Sequence, residues 1–123
     1  MSTTNPIYVA VVDDDEGLCR SFGRLLRAAN IQPVMYASAE AFLADKKQPK
    51  FDCLVLDVHL GGMSGIELGQ RLVAEGGRTP FIVITAHDDP ETRARAEAAG
   101  CVAYFRKTDS GAEVLETIRR VVA

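Results

Sequence analysis

The sequence predicts an α/β fold: a doubly wound, five-stranded parallel sheet with helices on both faces. Three observations predict it. Five short apolar runs, at residues 7–12, 33–36, 53–56, 81–84 and 102–105, are rich in Val, Ile, Leu and aromatics. Most are unbroken rather than alternating, the signature of parallel strands covered on both faces. Helical patterns fall between the runs, and regular strand–helix alternation implies right-handed crossovers. No linker, repeat or low-complexity stretch divides the 123 residues, so one domain spanning 1–123 is expected.

The helices follow in order. Leu18, Phe22, Leu25, Leu26 and Ala29 recur at spacings of three and four, one apolar stripe. Asn30 can end that helix in the left-handed conformation. Ser38 can cap a short second helix that turns Ala41, Phe42 and Leu43 inward. Ser64 with Glu67 forms a capping box for a third helix, with Leu68 and Leu72 inward and Gly76 and Gly77 as the stop. Asp89 then Pro90 reads as cap and first-turn proline of a fourth helix that ends at Gly100. Asp109 or Ser110 can cap a fifth, whose buried side carries Val114, Leu115, Ile118, Val121 and Val122. The fourth helix, mostly Ala, Arg and Glu from Thr92 to Ala99, has little apolar surface to hold it and is the element most free to shift.

Composition narrows the function. Hydrophobic residues make up 47% and charged residues 25%, an ordinary balance for a soluble domain. A formal charge of −3 argues against a nucleic-acid surface, which carries a basic footprint. No apolar tract is long enough to span a membrane, and Met1 to Pro6 lacks an apolar signal core, so the expected location is the cytoplasm. Cys19, Cys53 and Cys101 are an odd set without paired spacing and read as buried small hydrophobes of a reducing compartment.

Ligands of open α/β sheets bind beyond the carboxyl ends of the strands. Asp13, Asp14, Asp15 and Glu16 follow the first strand, Asp57 the third, Thr85 and His87 the fourth, and Lys107 the fifth. Acids gathered at one edge repel each other and raise at least one pKa. A hard divalent cation such as Mg2+ removes the conflict. Asp57 can then act as a carboxylate nucleophile in phosphoryl transfer, where positioning and charge neutralisation are most of the work. Each piece has a plainer alternative. The four acids can be a solvated helix start, Thr85 a strand-end hydroxyl and Lys107 a surface lysine. Four strand ends agreeing is what those alternatives do not predict.

These residues resemble a response-regulator receiver domain of two-component signalling. The resemblance lies in Val11-Val12-Asp13-Asp14-Asp15-Glu16, Leu54-Val55-Leu56-Asp57 with Gly62-Met63-Ser64-Gly65, Ile84-Thr85-Ala86 and Tyr104-Phe105-Arg106-Lys107. Residues 38–43, Ser-Ala-Glu-Ala-Phe-Leu, are similar to receivers joined to LuxR-type helix-turn-helix output domains. The resemblance implies a flavodoxin-like (β/α)5 fold with strand order 2-1-3-4-5. It implies Asp57 as phosphoacceptor, and Mg2+ held by Asp14 and Asp57 directly, by Asp13 through water and by the backbone carbonyl of His59. Lys107 would contact the phosphoryl group, Thr85 would swing to hydrogen-bond it, and Tyr104 would follow inward. The surface of the fourth helix, fifth strand and fifth helix would then change for an output domain or target protein, with phosphorylation-dependent homodimerisation left open. The donor would be a phosphohistidine on a sensor histidine kinase or histidine phosphotransfer protein. The domain would lose its phosphoryl group slowly rather than turn over as a conventional enzyme.

Three departures stand out. Leu60-Gly61 replaces the family's usual Met-Pro, and two glycines loosen that loop. Thr108 replaces the usual proline after Lys107, which predicts a trans Lys107–Thr108 bond, since a non-proline cis bond costs roughly 2.5–4 kcal/mol. His59 and His87 each fall two residues after a site residue, where they can tune the phosphoryl lifetime or be ordinary loop histidines; two ligands are too few for a structural zinc site. Two rivals remain: a pseudo-receiver that keeps the fold as an interaction module, and a Mg2+-dependent phosphatase. The phosphatase needs a second acid where this chain has His59.

Overall fold

The computed structural model describes residues 6–123, so most of the expectation for Met1 to Pro6 lies outside the described residues. The elements alternate as expected: β1 (Ile7–Val12), α1 (Glu16–Ala28), β2 (Ile31–Tyr36), α2 (Ala39–Ala44), β3 (Cys53–Asp57), α3 (Gly65–Ala74), β4 (Phe81–Thr85), α4 (Pro90–Ala99), β5 (Ala103–Arg106) and α5 (Gly111–Val122). All strand pairs are parallel, as the apolar runs predict, and the order is β2-β1-β3-β4-β5, as the resemblance implies.

Residue parity along the strands decides where the core sits. Successive side chains point to opposite faces. Ala10, Val12, Leu54, Leu56, Phe81 and Val83 therefore share one face, packed with Phe42, Ile66, Leu68, Ala96 and Ala99 from α2, α3 and α4. Val9, Val11, Cys53, Val55, Ile82 and Ile84 share the other, with Phe22 and Leu26 of α1 and Val114 and Ile118 of α5. Both faces are covered, so the central runs carry no polar alternation.

Local chemistry sets most of the boundaries. Asp15 caps α1, and Asn30 adopts φ 62° just past its end. Ser64 and Glu67 close the capping box of α3, Asp89 and Pro90 open α4, and Gly100 ends it at φ 101°. Ser110 rather than Asp109 caps α5; Asp109 instead turns back to accept the Arg106 N–H at 2.8 Å. Four expectations shift. β2 starts at Ile31, where Ile31 pairs with Ile7, and it tolerates Pro33 because it is an edge strand. β5 starts at Ala103, leaving Val102 half exposed. β3 and β4 extend one residue, to Asp57 and Thr85. Ala41 is exposed; with Ser38 as cap, the inward positions of α2 are Ala39 and Phe42. α4 buries only Thr92, Ala96 and Ala99, in line with its thin apolar surface.

The α3–sheet contact is close enough to reverse a propensity rule. Gly69 lies inside α3, where alanine normally adds roughly 0.5–1 kcal/mol. A Cβ there would meet the Phe81 ring at 2.7 Å. Gly69→Ala is therefore expected to destabilise by about 1–3 kcal/mol. Gly61→Ala, with nothing within 4 Å of its Cβ position, should be neutral or mildly stabilising. Urea unfolding of the two variants checks the contrast; a gain at Gly69 would refute the packing argument.

Candidate functional site

The strand order reverses between β1 and β3, and the two strands leave a crevice beyond their carboxyl ends. Register fixes who meets there. Val12 pairs with Leu56, so Asp13 and Asp57 emerge side by side. Asp57 pairs with Ile84, which places Thr85 one step beyond. The Lys107 N–H donates to the Thr85 carbonyl at 2.8 Å, which brings the lysine to the same edge.

Asp13 and Asp57 are buried, at 2% and 1% exposure, while Asp14 is exposed. Carboxylate oxygens of all three lie within 4.8 Å of one another. The Lys107 ammonium bridges the buried pair, 3.1 Å from Asp57 Oδ2 and 3.0 Å from Asp13 Oδ2. It donates a hydrogen bond to Asp13 Oδ1, which also accepts the Asp15 N–H at 2.9 Å. Asp57 Oδ1 accepts the His59 N–H at 3.3 Å. Asp13 Oδ2 is fully buried and faces the Lys107 ammonium as an ion pair at 3.0 Å. Three carboxylates converging within 4.8 Å, with one ammonium between the buried two, fit a hard cation, for which oxygen donors are the preferred ligands.

Burial first, then the Asp13 charge, push the Asp57 carboxyl up to about 6, with Lys107 opposing both. Burial disfavours the Lys107 charge, yet its bonds to Asp13 and Asp57 outweigh that and hold the ammonium above its usual range. The sign for stability follows. The folded state holds the Asp57 proton more tightly than the unfolded chain, so stability falls as pH rises from about 4 through 6. Asp57→Asn removes that buried charge. In EDTA near neutral pH it is expected to raise stability by on the order of 1–3 kcal/mol and flatten the profile between pH 4 and 6. Urea unfolding against pH checks this, and an Asn variant with the parent's slope refutes it.

The model of the response regulator receiver domain family matches residues 9–119. The chain belongs to this family. The TmoT response regulator of Ectopseudomonas mendocina is 32% identical over 111 residues, 90% of this chain and 50% of TmoT. The transcriptional regulatory protein FixJ of Rhizobium meliloti is 35% identical over 112 residues, 91% of this chain and 55% of FixJ. The chain thus spans about half the length of the curated relatives it matches. Among solved structures, FixJ-N superimposes with a TM-score of 0.85 at 33% identity, covering 97% of this chain and 95% of that one. The BeF3-activated DrrB receiver domain gives 0.87 at 26%, covering 96% and 98%.

Within this receiver domain, the residues named from sequence gather unevenly. Asp13, Asp14, Asp57 and Lys107 converge. Thr85 is fully buried, but its hydroxyl is turned to its own loop: it donates to the His87 carbonyl at 3.1 Å and accepts the His87 N–H at 3.0 Å. Tyr104 is half-buried, and its hydroxyl is buried with the Asp88 carboxylate as its neighbour rather than a well-aligned hydrogen-bond partner. Burial, and then the nearby Asp88 carboxylate, push that phenol up to about 12. The Arg93 guanidinium of α4 sits over the Tyr104 ring, 5.3 Å from its centroid. The imidazoles of His59 and His87 meet across two loops, with centroids 5.1 Å apart. Lys107–Thr108 is trans, as expected; no cis bond occurs among the described residues. Cys53 is buried and its thiol is pushed up to about 12 by burial, while Cys19 and Cys101 are half-buried and also raised by burial.

Two contributors escape sequence reasoning. Glu40 of α2 accepts the Met63 N–H at 2.9 Å and fills the space beside Gly62, whose φ is 99°. The glycine-rich loop after Asp57 is therefore clamped rather than loose; a partner 23 residues away leaves no local signal. Gly65 opens α3 against the Asp57 carbonyl, so close that any Cβ would collide with it. In sequence it shows only as the residue after the Ser64 cap and as part of the Gly62-Met63-Ser64-Gly65 segment of the resemblance, neither of which announces the close contact.

Proposed function

We propose that this receiver accepts a phosphoryl group on Asp57 from a phosphohistidine donor, with Mg2+ held by Asp13, Asp14 and Asp57 and the His59 carbonyl. The observation that carries the reading is the Lys107 ammonium bridging two buried carboxylates, with the Asp14 carboxylate beside them. A carboxylate oxygen of Asp57 forms the new P–O bond as the donor's P–N bond breaks, and the histidine leaves as neutral imidazole after taking up a proton. The bound cation supplies charge neutralisation at the phosphoryl oxygens. Lys107 trades its Asp57 contact for one with the phosphoryl group. Thr85 must give up its His87 bonds to follow, and Tyr104 then moves into the space it leaves. The phosphoryl group biases an existing equilibrium rather than building a new shape. The α4–β5–α5 surface reports the change to an output domain, of the LuxR type in the regulator this domain would serve, or to a target protein. The donor is a sensor kinase or phosphotransfer protein, and the setting is the cytoplasm. No helix among the described residues is long and apolar enough to cross a membrane.

Incubation with Mg2+ and acetyl phosphate, followed by intact mass measurement, tests the reading. One phosphoryl adduct is expected on the parent chain, and none in Asp57→Asn or in EDTA. A parent chain without an adduct refutes phosphoacceptance and leaves an interaction module. Rapid turnover of added phosphomonoesters would make it a phosphatase.

A further inference from the structure

We infer that His59 and His87 form a second, separate metal site: a two-imidazole chelate for a late first-row transition ion such as Zn2+ or Cu2+. Their ring centroids lie 5.1 Å apart, with the planes at 82°. Two imidazoles bound to one tetrahedral ion, at Zn–N distances of about 2.0–2.1 Å, place their centroids about 5 Å apart. The spacing is therefore already that of a chelated pair. The rings now meet edge to face, so a turn of one exposed side chain about its own bonds is needed to aim a nitrogen of each at a shared ion.

The supporting backbone is held, while neither ring makes a hydrogen bond among the described residues. The His59 N–H is held by Asp57 Oδ1, and the His87 N–H and carbonyl are both held by the Thr85 hydroxyl. Both residues are exposed and stand on different loops, after β3 and after β4. The chelate is thus assembled by the fold rather than by local sequence, and its remaining coordination positions open to water. The surroundings are negative. Asp88 and Asp89 follow His87 directly in sequence. A negative field concentrates cations at the site without supplying a competing one.

Ligand chemistry separates this site from the acidic pocket. Imidazole nitrogen selects Zn, Cu and Ni, whereas carboxylate oxygen suits Mg2+, so each ion has its own preferred site, and His59 serves the acidic pocket through its backbone and the second site through its ring. With two protein ligands the site exchanges its ion readily; it is not a structural centre, which needs four. By the general order of divalent affinities, Cu2+ binds more tightly than Zn2+ or Co2+.

Calorimetric titration of the full chain with ZnCl2 and with CuCl2, near neutral pH and in millimolar Mg2+ to fill the acidic pocket, tests the site. The expected result is one ion per chain, copper tighter than zinc, with His59→Ala and His87→Ala each weakening the affinity by about tenfold or more. Both substitutions are at exposed positions, and matching thermal melts establish that the variants are folded. Three results would overturn the site: no binding to the parent, single-variant losses of twofold or less, or full binding in the double variant, which would assign the ion to cysteines or carboxylates. Binding is read without any phosphodonor, so the outcome does not depend on Asp57 accepting a phosphoryl group.

Discussion

Gly65→Ala is expected to cost about 3 kcal/mol of stability and to leave the folded fraction poorly phosphorylated. Gly65 is the first residue of α3, and its φ is unexceptional, so helix propensity alone favours alanine. Packing opposes it. The Cβ position of Gly65 overlaps the Asp57 carbonyl and lies 3.1 Å from the Leu56 Cβ. Neither atom belongs to a flexible side-chain end, so the clash cannot be relieved by a rotamer change. α3 must retreat from the sheet or the end of β3 must bend. Bending moves the acceptor, and a displacement of about 1 Å at a reacting group can cost a hundredfold in rate. Urea unfolding measures the first effect and the acetyl phosphate reaction the second. A variant within about 0.5 kcal/mol of the parent would show that α3 does not press on Asp57.

Lys107→Met carries the second large effect. The methionine keeps the length and removes the charge, leaving Asp13 and Asp57 facing each other at 2% and 1% exposure. Breaking a buried pair in this way costs roughly 3–5 kcal/mol when no relief exists. Here relief exists. Lys107 retains 17% side-chain exposure, so solvent already screens part of the pair, and Asp57 can take up a proton. A net loss of about 2 kcal/mol near neutral pH is therefore expected. The sign is definite. Losing the cation raises the Asp57 pKa beyond about 6, so the variant approaches the parent at pH 5 and falls behind as pH rises to 8. Mg2+ should recover part of the loss, because it replaces the missing positive charge. Phosphorylation should drop by about a hundredfold even so, since the ammonium is aimed at developing charge. Unfolding curves from pH 5 to 8, with and without Mg2+, decide it. A variant as stable as the parent across that range would mean the lysine does not hold the two acids together.

The two substitutions differ in how far the sequence announces them. Lys107 is conspicuous: a cation just past a strand, opposite acids after two others. Gly65 is not, because its importance lies in a carbonyl of another element that touches it only once α3 is docked. Glu40 is less visible still. As a charged residue in a short helix it reads as solvated surface, yet it clamps the loop that follows the acceptor. Thr85 marks a further limit. Its position at the end of β4 is plain from the sequence, whereas the turn of its hydroxyl toward His87 rather than the acids depends on loop geometry.

By itself, the sequence determined the elements, their caps and the chemistry at each strand end. It could do so because those signals act over a few residues: Ser64 with Glu67, Asp89 with Pro90, Gly100 in the left-handed region, an unbroken run for a strand covered twice. The tertiary structure alone decided distances between elements. Lys107 reaches Asp13 and Asp57 across 94 and 50 residues, and His59 meets His87 across two loops. Such contacts follow from strand register, crossover handedness and the depth of helix packing. These are properties of the whole sheet, and no short stretch of chain carries them.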